Sequence, residues 1–393
     1  MTTKELQAGR EAFARHFGGG REVRVYAAPG RTEIGGNHTD HQHGRVLAAA
    51  VDLETWGFAA PGPDGEIRLY SEGYGLCSVS LSDLTPRKEE EGTAQALLRG
   101  VASCFPAGTV PGFDLYVTSR VLPGSGLSSS AAFEVLLGTV CADMSGIRRT
   151  ATEIARMGQM AENRYFGKPC GLMDQMASAW GGLVGMDFRN PEEPAVRPVA
   201  FDMDKAGYAL CILDVKADHA SLTAEYAAIP AEMGTVAAFF GREKLRDVKE
   251  EELWAHLPTL RKAVGDRAVL RAVHFFEEDR RAAEEAEALE AGDLLHFLEL
   301  VRASGESSWL YLQNVVPTGA VAQQSMAVAL ALCGRLLGTE GAWRVHGGGF
   351  GGTVQAFVPK KKLSVFQKET EAVFGEGSCH VLRINPLGTR RVE

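Results

Sequence analysis

The sequence has no C-x-x-C pair, no extended run of lysine and arginine, and no uninterrupted apolar stretch of the length a bilayer requires. Each absence closes off a class. The seven cysteines, Cys77, Cys104, Cys141, Cys170, Cys211, Cys333 and Cys379, are odd in number and widely scattered. That spacing speaks against a disulfide framework and against a thiolate-bound zinc site, so reduced thiols in a cytoplasmic protein are expected. A formal net charge of -9 without a basic patch gives nothing to attract a nucleic-acid backbone. A small anionic ligand remains compatible, because backbone amides and a bound cation supply positive charge locally. Spanning a bilayer takes about 20 apolar residues, and the opening Met1-Thr2-Thr3-Lys4-Glu5-Leu6 lacks a signal core. Neither export nor a membrane partner is expected.

What is present is the composition of an ordinary globular protein, with 45% hydrophobic and 23% charged residues over 393 positions. That length exceeds one ordinary core, which predicts two domains, residues 1–190 and 191–393. The patterning predicts a helix over 4–17, a strand over Val23–Ala28, a loop over 29–45, an apolar run over Val46–Val51, and a hairpin of Leu53–Ala60 with Ile67–Ser71. Helices follow at 93–105, from the Gly/Ser-rich loop 122–130 to about Met144, and over Thr150–Phe166, with a strand over 112–118. Beyond the strand Tyr208–Val215, residues 222–305 read as largely helical, and strands return at Gly352–Val358 and Cys379–Ile384. Strands and helices mix without a β-α-β rhythm, which indicates α+β. The charged segment Asp279–Leu289 reads as a solvated helix face, and Trp309, Tyr311 and Trp343 as core fillers.

Chemistry concentrates in a loop of small residues between a strand and a helix, Pro123, Gly124, Ser125, Gly126, Leu127, Ser128, Ser129 and Ser130. Glycines let the backbone approach a bulky anion, and the first turn of the helix offers free N–H groups with the positive end of its dipole, so these residues are candidates for binding a triphosphate. The loop lacks the G-K-[ST] ending of a Walker A motif and the G-x-G-x-x-G of a dinucleotide turn. Two further strings flank it in the chain: Pro29-Gly30-Arg31-Thr32-Glu33-Ile34-Gly35-Gly36-Asn37-His38-Thr39-Asp40 early, and His346-Gly347-Gly348-Gly349-Phe350-Gly351-Gly352 late.

Taken together and in this order, the three strings resemble the motifs of the GHMP kinases, over most of the chain from Val23 to Val358. Within that superfamily the first string resembles the galactokinase signature G-R-V-N-L-I-G-E-H-T-D-Y, with Gly30, Arg31, Gly36, His38, Thr39 and Asp40 in register. Ala161-Glu162-Asn163 followed by Cys170-Gly171-Leu172-Met173-Asp174-Gln175 is similar to the same branch, as is Asp218–Tyr226. The resemblance implies a GHMP kinase fold of two domains with the active site in the cleft between them. It also implies transfer of a phosphoryl group from ATP to the anomeric hydroxyl of a small sugar. Asp174 and Arg31 would be the catalytic pair, one facing the C1 hydroxyl and the other neutralising the transferring group. Ser130 and Glu162 would hold Mg²⁺, which takes oxygen ligands. Asn37, His38, Asp40, Gly171, Asp174 and Tyr226 would bind the sugar, since one carboxylate can accept from two neighbouring hydroxyls. The neighbouring His41 and His43 read as parts of a water-exposed loop rather than as metal ligands with His38.

Position 37 departs from the signature, with Asn in place of Glu, and Asp40-His41-Gln42 is closer to the D-H-Q of plant galacturonokinase than to D-Y-N. A neutral amide there would tolerate, and could donate to, a C6 carboxylate, which keeps galacturonate open beside galactose. Glu33 could restore a carboxylate nearby. A non-catalytic sugar sensor on the same fold is the alternative from another class. It is disfavoured by the complete Ser128-Ser129-Ser130-Ala131-Ala132 run and by Asp174.

Overall fold

A computed structural model describes residues 1–121, 124, 126–216 and 222–393. The larger of two sheets contains β1 (Arg24–Gly35), β2 (Arg45–Pro61), β3 (Glu66–Ser71), β4 (Gly75–Ser80), β5 (Phe113–Ser119), β6 (Leu183–Asp187) and β7 (Ala195–Val199). The smaller holds β8 (Tyr208–Asp214), β9 (Ala342–His346), β10 (Thr353–Pro359) and β11 (Cys379–Leu382), all antiparallel in the order β11-β8-β10-β9. The last strand, β12 (Arg390–Arg391), returns to the larger sheet beside β1, whose order is β12-β1-β2-β5-β3-β4. The 17-residue β2 carries two neighbours on one side, Thr55–Pro61 pairing with β5 and Arg45–Ala49 with β6.

Two expectations are corrected here. Residues 29–35, expected in a loop, continue β1 and pair with β2, with irregularities at Pro29/Arg31 and Glu33/Gly35. Proline and glycines hid this strand, because such residues are tolerated where a bulge interrupts the ladder. Residues 53–60 and 67–71 do not form a hairpin either: β5 lies between β2 and β3, parallel to β3, whose hairpin partner is β4.

The larger sheet is covered on both faces, and the two-residue period of its strands divides the work. Val25 and Ala27 of β1 join Phe13 of α1 (Thr3–Phe17), whereas Tyr26 and Ala28 face a core shared by α2 (Ala94–Ser103), α3 (Ser129–Ser145), α4 (Ala151–Ala161) and α5 (Met173–Trp180). A helical layer follows, with α6 (Thr223–Phe239), α7 (Glu250–Ala255), α8 (Leu257–Val264), α9 (Asp266–Glu290) and α10 (Leu294–Ser307). The smaller sheet is covered by α11 (Ser325–Leu337) and α12 (Leu363–Phe374) through Met326, Cys333 and Phe366. One core spans both sheets, in which Ile34 and Leu47 meet Leu289 of α9, Phe297 of α10, and Ile212 and Phe357 of the smaller sheet. Phe297 and Phe357 touch edge to face at 5.0 Å, and truncating such a ring to alanine costs about 3–5 kcal/mol.

This packing limits the solvated face expected over Asp279–Leu289 to Arg280, Glu284 and Glu287, which are exposed. Asp279, Ala282, Glu285, Ala286, Ala288 and Leu289 are buried, because α9 runs beneath β1 and β2, and Asp279 meets arginines from other segments. Asp279 accepts from Arg45 N at 2.7 Å and pairs with Arg246. Trp309 is not a core filler, being 46% exposed on the turn Ser308–Leu312, whereas Tyr311 and Trp343 are partly buried against the core. No described helix is long and apolar enough to cross a membrane.

Candidate active site

Arg31, on the irregular half of β1, joins three segments of the chain. Its N–H donates to Leu127 O at 3.0 Å, and its guanidinium donates to Gly126 O. The same guanidinium grips Asp174 in a fork, Nε to Oδ1 at 2.7 Å and Nη2 to Oδ2 at 2.8 Å. The approach depends on glycine at 30, where a Cβ would meet Leu127 O at 2.9 Å. Ser128 precedes α3 with φ 53° and, rather than capping that helix, donates its hydroxyl to Asp174. Burial alone would raise the Asp174 carboxyl, but Arg31, its hydrogen bonds and Ser128 outweigh this and hold the pKa below the usual value. Asp174 also sits in the first turn of α5, where the helix dipole favours a negative charge. The expected catalytic pair is therefore in direct contact.

Asp40 opens a short 3-10 turn and accepts from His41 N at 2.9 Å. Gly171, three residues before Asp174, lies against it so closely that a Cβ would fall 1.8 Å from Asp40 Oδ2. On the opposite side, His38 Nε2 lies 3.4 Å from Gly348 O and the Tyr226 hydroxyl donates to Gly349 O at 3.2 Å. The third glycine string is thus the floor on which these side chains rest, and a Cβ at Gly348 would strike the Tyr226 ring at 2.4 Å. Burial, then His41, lowers the His38 pKa to about 3, so this imidazole is neutral.

Asn37 is placed differently from the other residues expected at the sugar. Expected to face the sugar, it is fully buried and saturated: Nδ2 donates to Glu33 Oε1 at 2.8 Å and Gly347 O at 2.7 Å, and Oδ1 accepts from Asn314 at 2.9 Å. Glu33 claims the amide, and its own charge is met by Arg344. Residues 218–221 of the segment ending at Tyr226 lie outside the described residues, as do Pro123 and Ser125 of the small-residue loop.

In that loop Gly124 and Gly126 take left-handed φ values of 75° and 71°, which a larger residue adopts only with strain. The loop delivers the chain to α3, whose first residues, Ser129 and Ser130, line a cavity of about 530 Å³ together with Tyr74, Leu97, Phe133 and Phe166. Its size and apolar walls suit a nucleoside base, and the N-terminal end of α3 beside it suits an anion. Tyr74, Leu97 and Phe166 escaped the sequence reading because they come from a turn and two helical segments well separated from the loop in the chain.

Ser130 and Glu134 are one turn apart on α3 and share a face. Glu134 accepts from Gln175 Nε2 at 2.9 Å, and the same nitrogen reaches Glu162 Oε2 at 3.1 Å. Glu134 and Glu162 are both buried, and Oε1 of Glu134 and of Gln175 find no hydrogen-bond partner among the described residues. The unpartnered oxygens of Glu134 and Gln175 sit beside the Glu162 carboxylate, whose own oxygens are met by Lys168 and Gln175, and such a cluster of oxygen atoms fits a hard divalent cation.

A second set of residues was not foreseen. Glu278 of α9, fully buried, accepts from the backbone N–H groups of Gly36 and Asn37 at 3.2 and 3.3 Å and from Ser304 Oγ at 2.6 Å. Burial would raise its pKa, but Arg281 and neighbouring cations hold it down to about 2. His274 Nε2 lies 3.0 Å from Asn37 O, which places the ring proton on that nitrogen and leaves Nδ1 to accept from Ser307. His346 lies under Arg31, its Nε2 accepting from Glu33 N at 3.3 Å and its Nδ1 facing Thr353 Oγ1 at 2.8 Å. Burial and Arg31 keep its pKa well below the usual value.

Comparisons with known proteins agree with this geometry. Residues 92–182 match the GHMP kinases N terminal domain, and residues 11–61 match the galactokinase galactose-binding signature. The chain is 31% identical over 373 residues to a galactokinase of Glaesserella parasuis serovar 5, covering 92% of each. It is also 31% identical to one of Haemophilus influenzae, again covering 92% of each. Among solved structures, Lactococcus lactis galactokinase complexed with galactose superposes with a TM-score of 0.85 at 26% identity, over 99% of this chain and all of that one. A mevalonate kinase shares the fold, with a TM-score of 0.65 at 15% identity and 92% of this chain covered.

Proposed function

The chain belongs to the galactokinase family of GHMP kinases, and from that premise we propose that it transfers the γ-phosphoryl group of ATP to the anomeric hydroxyl of D-galactose. The products are galactose 1-phosphate and ADP. The observation that carries this reading is the Arg31 fork. A single guanidinium binds Asp174, three residues beyond the Gly171–Asp40 contact, and the Gly126 carbonyl of the nucleotide loop, so it lies where acceptor and donor must meet.

Phosphoryl transfer asks mainly for positioning and charge stabilisation. Asp174, ionised and held low, is a weak base but a strong acceptor. It orients the C1 hydroxyl toward the γ-phosphorus and takes its proton late, as the new O–P bond makes that proton acidic. Arg31 fixes the carboxylate's plane and supplies positive charge beside the transferring group. Asp40, with the Gly171 backbone against it, accepts from the remaining sugar hydroxyls. His38 and Tyr226 close the other side. Ser130 and Glu162 are the residues to hold Mg²⁺, which when bound neutralises charge on the β- and γ-phosphates.

Asn37 bears on the choice of sugar. Both amide protons are used within the protein, so the donor that a C6 carboxylate would require is not offered, and Glu33 adds a carboxylate behind it. This supports galactose over galacturonate. Measuring ADP release with each sugar, and with 1-deoxygalactose, tests the reading. Galactose should turn over while the deoxy sugar stays inert. Turnover of galacturonate alone would overturn the choice of substrate, and binding of sugar and ATP without ADP release would establish a sensor instead.

A further inference from the structure

Lys168 takes no part in the mechanism above, yet it stands at Glu162. Its Nζ lies 3.1 Å from Glu162 Oε1, and its side chain is 63% exposed where that of Glu162 is 4% exposed. The other carboxylate oxygen is held from within, by Gln175 Nε2 at 3.1 Å, which is itself anchored on buried Glu134 at 2.9 Å. The carboxylate is thus gripped on one side by a fixed amide and on the other by a long side chain reaching in from solvent. The backbone sets this up. Past the π-helical turn Glu162–Phe166, Gly167 takes φ 82° and the Lys168 N–H donates back to Glu162 O at 3.1 Å, which turns the lysine over the residue it pairs with.

We infer that Lys168 is a stand-in cation, whose ammonium neutralises Glu162 while the site holds no metal and must be displaced when a divalent cation enters. The inference rests on Glu162 being a ligand for Mg²⁺. It has a consequence for the order of events. A free divalent cation must compete with a tethered ammonium for one oxygen of the Glu162 carboxylate and therefore binds poorly by itself. A cation carried by a nucleotide brings phosphate oxygens as further ligands and wins that competition. Lys168 in this way makes metal entry depend on nucleotide entry, and its loss should uncouple the two.

Titrating Mn²⁺ without nucleotide, and following the free-ion electron paramagnetic resonance signal, tests this on the wild type, Lys168→Met, Lys168→Arg and Glu162→Gln. Lys168→Met should bind Mn²⁺ about two- to fivefold more tightly, the size expected for so exposed an ion pair. Lys168→Arg should stay at the wild-type value and Glu162→Gln should lose binding. If the wild type binds too weakly to titrate, measurable binding by Lys168→Met alone supports the inference, and none in either overturns it. Unchanged or weaker binding by Lys168→Met, with Glu162→Gln still defective, overturns the stand-in role and leaves Glu162 as a ligand. Binding retained by Glu162→Gln overturns the ligand itself.

Discussion

The two halves of the site are built on different principles. The proposed nucleotide side is local: a short run of glycines and serines feeds straight into α3, with left-handed backbone at Gly124 and Gly126 before the helix end. The sugar side is non-local. Its loop, Gly36 to Asp40, is held by Glu278, His274, Asn314 and the glycine string at 347–349, all more than 200 positions away. A phosphate is recognised by backbone N–H groups that any suitably bent chain can present. A sugar needs individual side chains at fixed angles, and here a buried charge network supplies that rigidity.

The contrast is broken most forcefully at Glu278. Glu278→Ala would strand two loop N–H groups and Ser304 and leave Arg281 to Glu277 alone, and removing one partner of such a buried pair costs about 3–5 kcal/mol. Chemical denaturation should show that loss. Since the carboxyl is held near 2 in the folded protein, its contribution is present above the usual glutamate range and disappears as pH falls toward about 2. A loss within experimental error would mean that the sugar loop stands without the network.

Next in size is Asp174, where the two sides meet. Asp174→Ala or Asp174→Asn should lower kcat by at least about 10²-fold with the fold intact, as removal of a general-base or electrostatic group does. Near-native turnover would remove Asp174 from its role. Arg31→Met should leave a slower enzyme whose acid limb in kcat/KM lies at higher pH, because the carboxyl then loses the cation that depresses its pKa.

Glu285 gives the smallest effect and the sharpest test of burial. It is fully buried, neither oxygen has a partner among the described residues, and burial, then Glu278, raises its pKa well above the usual value. A raised carboxyl favours the folded state only while protonated, so stability should fall by about 1.4 kcal/mol per pH unit above the unfolded pKa until the group ionises. Glu285→Gln should lack this slope. Parallel pH–stability curves for the two proteins would show that Glu285 titrates normally.

The same contrast decides what could be read from the sequence. Gly124, Gly126 and Ser128 announced themselves, since a run of glycine and serine before a helix is a local choice with local causes, whereas Asp174 was legible through the resemblance of its motif. Asn37 and Glu33 did not. Their side chains are assigned by Arg344, Asn314 and Gly347, partners that adjacency in sequence cannot reveal. Likewise Asp279–Leu289 has the charge density of a solvated helix, and only the placement of α9 under β1 and β2 makes one side of it, with Asp279 and Glu285, interior. The strand hidden at residues 29–35 failed for the opposite reason: its proline and glycines are loop residues by local preference, and pairing with β2 overrides them.

Phosphorus NMR of the product formed from galactose and ATP tests the central claim, that Arg31 and Asp174 join a nucleotide side to a sugar side at the anomeric hydroxyl. A single sugar phosphate whose phosphorus couples to the anomeric proton is the predicted result. A phosphate on any other hydroxyl, or ADP formed without a sugar phosphate, would contradict it.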